Sequence, residues 1–106
     1  MRTIEICGIP HTIEEVPVID EEREGIVQGE ITYNEAKIRI KRDLPHEIKQ
    51  EVLMHEVLHG ILYHIGEAEL CSDERFVQAL ANGICNSGVR LQIVGSEGEK
   101  GLKLPS

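Results

Sequence analysis

The chain has 106 residues, 41% of them apolar, with 11 basic against 19 acidic side chains and a formal charge of -8 at pH 7. That length suits one domain with one core, and the charge repels a phosphate backbone, which argues against nucleic acid as a partner. No stretch approaches the roughly 20 apolar residues of a membrane span, and Met1 to Glu5 open no signal-peptide apolar region, so the expectation is a cytoplasmic protein with no membrane association.

With one Phe, two Tyr and no Trp, the core must come from Ile, Val and Leu. The many β-branched residues point to strands beside helices. Cys7, Cys71 and Cys85 are widely spaced with no Cys-x-x-Cys pair, and read as reduced thiols without a chemical role.

In chain order, Ile4 and Ile6 alternate with Glu5, and after Gly8 and Pro10 a second extended stretch runs from His11 to Val16, which suggests a hairpin. Pro17 and the acidic run Asp20 to Gly25 read as an exposed loop. A second hairpin is expected from Ile26 to Tyr33 and Ala36 to Lys41, turning at Asn34-Glu35. Ile38 and Ile40 face one way there, and Lys37, Arg39 and Lys41 the other, so one face is packed and one wet.

Asp43-Leu44-Pro45 is a helix-start signal with a capping-type acid, predicting a helix from about His46 to Ile65, stopped by Gly66. Ser72-Asp73-Glu74 opens a second helix, which should run to about Asn86 and end near Gly88. The polar, glycine-rich residues from Gly95 onward read as a tail, giving a single domain over 1–94 and a flexible segment over 95–106. The fold class is α+β: a small twisted antiparallel or mixed sheet of about three to four strands, packed on the first helix and a second, C-terminal one.

The chemistry concentrates on the first helix, in His55-Glu56-Val57-Leu58-His59. Stepping about 100° per residue from His55 puts His59 near 40°, Tyr63 near 80° and Glu56 near 100°, while most of the remaining circumference is apolar. Two imidazoles one turn apart on a rigid helix can both reach a tetrahedral Zn²⁺ at about 2.0 to 2.1 Å. A carboxylate one step after the first histidine stands beside the metal, where it can take a proton from zinc-bound water as a general base. Buried histidines and a glutamate also cost desolvation energy unless metal or hydrogen bonds satisfy them. His64 falls near 180° and is expected to point away, as a surface histidine.

A third ligand is needed, leaving one position open. On the second helix Phe76, Val77, Leu80, Ala81 and Ile84 form the apolar face and Glu74 borders it. Glu74 can therefore look across to the histidines, with Asp73, otherwise the helix cap, as the rival. Gln78 lies one turn after Glu74 and is a candidate to hydrogen-bond a ligand, and Asn82 a further candidate. Tyr63 shares the Glu56 flank, where it would either pack or stabilise a developing oxyanion.

The run Leu53-Met54-His55-Glu56-Val57-Leu58-His59-Gly60-Ile61-Leu62, then Glu74-x-x-Val77-x-x-Leu80-Ala81-Asn82-Gly83, resembles the small ImmA/IrrE-like zinc metallopeptidases of phages and mobile elements. Gly29-Glu30-Ile31-Thr32-Tyr33 and the alternating isoleucines before the helix extend the likeness to about 75 residues. The resemblance implies a minimal gluzincin-like (zincin-like) fold, zinc held by His55, His59 and Glu74, and cleavage of a protein or peptide substrate with Glu56 activating the water. Larger members carry an acid near the Ala-Asn pair, where this chain has Gln78 and Leu80.

Two other classes compete with a peptidase. In a non-catalytic zinc-binding regulatory or interaction module, the metal would only tie the helices together, and Glu56 would have no function as a base. A metal-dependent endoribonuclease with three histidines conflicts with the charge of -8 and with the placing of His64.

Overall fold

In the computed structural model, residues 1–20 and 27–95 are described, and the order is β1 (Arg2–Ile6), β2 (Ile9–Val16), β3 (Gly29–Thr32), β4 (Lys37–Lys41), α1 (His46–His64), α2 (Ala68–Cys71), α3 (Glu74–Asn86) and β5 (Val94–Gly95). The architecture is α+β, with five strands rather than three or four, in the spatial order β3-β4-β2-β1-β5. The extra strand is Val94–Gly95, which pairs antiparallel with Arg2 and Thr3. Gly95, expected to begin the tail, is therefore hydrogen-bonded into the sheet, while 96–106, the acidic loop residues 21–25 and Ile26, expected to open the second hairpin, lie outside the described residues.

Both hairpins form, each for a local reason. Cys7 and Gly8 turn β1 into β2 with φ of 51° and 83°, the left-handed pair that a two-residue turn requires to match strand twist. Ile6 then faces Ile9. A 3₁₀ turn at Tyr33–Glu35 joins β3 to β4, with Ala36 left-handed at φ 51°, and sets Ile31 opposite Ile38. The two hairpins meet through a parallel pairing, Ile13 beside Ile38 and Glu15 beside Ile40, which makes the sheet mixed.

The period-two pattern is realised. Ile4, Ile6, Ile13, Ile38 and Ile40 point inward onto Leu53 and Val57 of α1. The opposite side of α1 presents Met54, Leu58 and Leu62 to Cys71, Val77 and Ala81. α1 is thus a central layer with the sheet on one side and α2 and α3 on the other, which explains why it is apolar around most of its circumference. No helix among the described residues is long and apolar enough to cross a membrane.

Close approach of α1 to the sheet depends on Gly60, where an added Cβ would lie 3.0 Å from Ile6 Cδ1 and 3.1 Å from Ile31 Cδ1. Ile38, 0% exposed, is the centre of this layer. Ile38→Ala should lower unfolding stability by about 2 to 5 kcal/mol in urea titration; a loss below about 1 kcal/mol would mean that the sheet and α1 are not packed as described.

The helix ends differ in detail from expectation. Pro45 itself occupies the cap position of α1 with no side-chain capping bond, so Asp43 does not cap the helix. At the other end Gly66, φ 84°, reverses the chain, and the Glu67 N–H donates to the Leu62 carbonyl at 2.9 Å, closing the helix as a left-handed glycine allows. α3 is capped as expected, Asp73 Oδ1 accepting from the Phe76 N–H at 3.1 Å.

Candidate metal centre

α1 holds His55 and His59 one turn apart, with ring centroids separated by 4.8 Å and their Nε2 atoms by 3.1 Å. The apolar seam of Val77 and Ala81 lays α3 against α1, and that packing brings Glu74, the first residue of α3, over the two rings. Glu74 Oε1 lies 3.0 Å from His55 Nε2 and 3.3 Å from His59 Nε2. These three side chains form a group that can hold a metal ion.

Bond lengths of about 2.0 to 2.1 Å around a tetrahedral ion place neighbouring donor atoms about 3.3 Å apart. The separations of 3.0, 3.1 and 3.3 Å are close to that spacing. His59 is 7% exposed, whereas the Glu74 side chain is 70% exposed. His59 thus forms the buried floor, half-buried His55 stands beside it, and the carboxylate is the solvent-side wall.

Glu56 is buried beside this group at 7% exposure. Desolvation first, then the negative charges of Glu74 and Glu30, push its carboxyl up to about 8. Its chamber depends on Gly29, where an added Cβ would lie 2.5 Å from Val52 Cγ1 and 3.4 Å from Glu56 Oε2. Glu30 is itself paired with Arg39, whose Nε donates to Glu30 Oε2 at 2.7 Å.

Behind His59 stands a contact that the sequence does not announce. Cys71 Sγ lies 3.7 Å from His59 Nδ1, 3.4 Å from the His59 carbonyl oxygen and 3.3 Å from Tyr33 Oη. Burial, and next the contact with Cys71, push the Tyr33 phenol above its usual value, so it remains an O–H donor. His55 differs: its Nδ1 is buried with no hydrogen-bond partner among the described residues.

Cavities adjoin the group among the described residues. One of about 350 Å³ is walled by Val27, Gly29, Glu51, His55, Glu56 and Gln78. Another, about 550 Å³, lies between Tyr33, His59, Tyr63, Cys71 and Glu74.

Of the remaining sequence candidates, Asp73 is engaged as the α3 cap. Gln78 donates to Asn82 Oδ1 at 2.8 Å, so the two amides bond each other and neither bonds a histidine. Tyr63 is 51% exposed and stacks on Tyr33 at 4.0 Å between centroids. His64 points away from the group, yet it is not a free surface side chain: its ring meets buried His11 edge-on at 5.8 Å. Phe76 and Leu80 are each 37% exposed while Val77 and Ala81 are fully buried, so the packed face of α3 is narrower than its apolar pattern.

Neither Tyr33 nor Cys71 lies at a motif spacing from the histidines, so no sequence pattern signals their contact with His59. Their partnership spans 38 residues, and only the docking of α2 and the β3 hairpin onto α1 creates it. The chain matches no family model, no curated protein and no solved structure.

Proposed function

We infer that this chain is a zinc-dependent metallopeptidase of minimal zincin type, with His55, His59 and Glu74 as ligands and Glu56 as general base. One observation carries the reading: a buried carboxylate pushed up to about 8 stands next to three convergent donor atoms that suit a single ion. A carboxyl group tuned toward neutrality can both accept and return a proton near pH 7. A site that serves only to tie helices together has no use for such a group. The likeness of the His55 to Leu62 and Glu74 to Gly83 runs to ImmA/IrrE-like peptidases supports the same reading.

Zinc, when bound here, supplies Lewis-acid chemistry, polarising a scissile carbonyl and making water more acidic. The chain's own residues do the rest. Glu56 takes the proton from the attacking water and hands it to the leaving amine. Among the described residues β3 is one of the two edge strands of the sheet, and Gly29, Glu30 and Ile31 line the same cleft as His55 and Glu56. An extended peptide can add to that edge through backbone hydrogen bonds, which brings its carbonyl groups past the donor triangle. The formal charge of -8 favours a protein substrate over a nucleic acid.

Among the described residues the wall of the smaller cavity carries the Glu51 carboxylate and no Lys or Arg, so a Lys or Arg side chain beside the scissile bond is the preferred occupant. In a peptide-library digest, Glu51→Gln should reduce that preference about 5-fold, the equivalent of about 1 kcal/mol for one partly screened charge pair. An unchanged preference would remove Glu51 from substrate selection.

The test of the function as a whole is metal analysis of the purified protein beside a peptide-library cleavage assay with and without a chelator. One equivalent of zinc and chelator-sensitive cleavage are expected. Protein that takes up no zinc from zinc-supplemented buffer overturns the metal reading, and zinc-loaded protein that leaves the library intact overturns the peptidase reading.

A further inference from the structure

We propose that Cys71, backed by Tyr33, is a positioning residue that presets the tautomer of His59 for metal binding. The inference rests on the metal-centre reading above and assigns a role to a thiol that the peptidase mechanism leaves unused.

A thiol has one proton to donate and its sulfur can accept. The His59 carbonyl oxygen, 3.4 Å from Cys71 Sγ, can only accept, so the S–H proton is spent there. The other two contacts of the sulfur must then be donated to it. Tyr33 Oη at 3.3 Å supplies its O–H, and His59 Nδ1 at 3.7 Å must supply an N–H. A neutral imidazole with its proton on Nδ1 has a bare lone pair on Nε2, and Nε2 is the atom that faces His55 and Glu74. Every proton at the sulfur then meets an acceptor, and the bare His59 Nε2, which also lies 3.3 Å from Glu74 Oε1, finds its donor in His55 Nε2 at 3.1 Å.

His55 provides the contrast within the same site. Its Nδ1 has no partner among the described residues, while its Nε2 lies 3.0 Å from the Glu74 carboxylate and 3.1 Å from His59 Nε2. Both neighbours are acceptors, which calls for a proton on His55 Nε2 in metal-free protein. The two histidines therefore start in opposite tautomers: His59 is ready, and His55 must release or shift its Nε2 proton as the metal enters. Partners on the far ring nitrogen commonly orient metal-binding histidines, and removing them costs about 10- to 100-fold in affinity. Here a buried thiol, 9% exposed, takes the place usually filled by a carboxylate or carbonyl.

The experiment uses the full chain with ¹⁵N-labelled histidine. Long-range ¹H–¹⁵N spectra of metal-free protein, at a pH where imidazole is neutral, read each tautomer directly. The expected result is Nδ1–H at His59 and Nε2–H at His55 in the wild type. Cys71→Ala should lose the His59 preference and bind zinc about 10- to 100-fold more weakly in chelator competition. Cys71→Ser, which keeps a donor and an acceptor at the position, should remain closer to the wild type in both readouts. An Nε2–H tautomer at His59 in the wild type overturns the assignment even if a variant fails to fold, and so does Cys71→Ala protein with unchanged tautomer and zinc affinity. Wild-type protein that binds no zinc overturns the metal reading instead, and the two failures are told apart because the tautomer is read without metal.

Discussion

Glu56→Gln is expected to lower peptide cleavage about 10²- to 10⁴-fold, the usual contribution of a general base, while zinc stays bound and the metal-free fold becomes more stable. The opposite signs arise from one cause. Glu56 is 7% exposed, and burial together with Glu74 and Glu30 raises its carboxyl from 4.5 to about 8. An acid whose folded value exceeds its unfolded value imposes no penalty below about pH 4.5. Between there and pH 8 the unfolded state ionises while the folded state does not, so stability falls as pH rises, and above pH 8 the loss is constant.

At pH 7 that amounts to a cost on the order of 3 kcal/mol, at 1.36 kcal/mol per unit. Glutamine matches the shape of the protonated acid and ionises in neither state. Urea titrations of metal-free Glu56→Gln and wild-type protein should coincide near pH 4.5 and separate toward pH 8, with the variant the more stable. Equal stability across that range would show that Glu56 is not held in a desolvated chamber. Cleavage that survives the substitution would remove Glu56 as the base while leaving the donor group untouched.

Loss of one donor should weaken zinc binding by more than about 100-fold, beyond what changes to ligand-orienting partners cost. Glu74→Ala is the most informative case, because the carboxylate arrives from a different helix and is 70% exposed in its side chain. Its neighbour supplies the control. Asp73 accepts from the Phe76 N–H at 3.1 Å, so Asp73→Ala should cost about 1 kcal/mol of stability as a lost cap and leave zinc affinity close to that of the wild type. Competition with a chromophoric chelator measures the affinities, and urea titration the stability. Zinc held at full strength by Glu74→Ala, or lost in a stably folded Asp73→Ala, would transfer the third position away from Glu74.

The acid that stands beside the histidines also shows how much rested on packing. From periodicity alone Glu74 borders the apolar face of α3, and Asp73 competes with it. The separation between them comes from two contacts: Asp73 turns back to cap its own helix, and the Val77 and Ala81 seam against Met54, Leu58 and Leu62 sets the helix at a distance where the Glu74 side chain reaches both rings. Gln78 and Asn82, plausible partners for a histidine by angle, bond to each other instead, because residues four apart on one helix meet more readily than residues on two.

Local rules of chain geometry made much of the protein readable from its residues. The period of two in Lys37 to Lys41 placed Ile38 and Ile40 inward, Gly66 ended α1 at a left-handed position, Asp73 capped α3, and the spacing of His55 and His59 put two imidazoles on one flank of a helix. Each is set by contacts within a few residues, where side-chain type and backbone period suffice. Tertiary structure alone decided the parallel joining of β2 to β4, the addition of Val94–Gly95 as a fifth strand, the place of β3 at the edge beside Glu56, and the meeting of Tyr33, Cys71 and His59. These join residues 12 to 93 positions apart, and such contacts are selected by the burial of one shared apolar layer around α1, a quantity that no local window of the sequence contains.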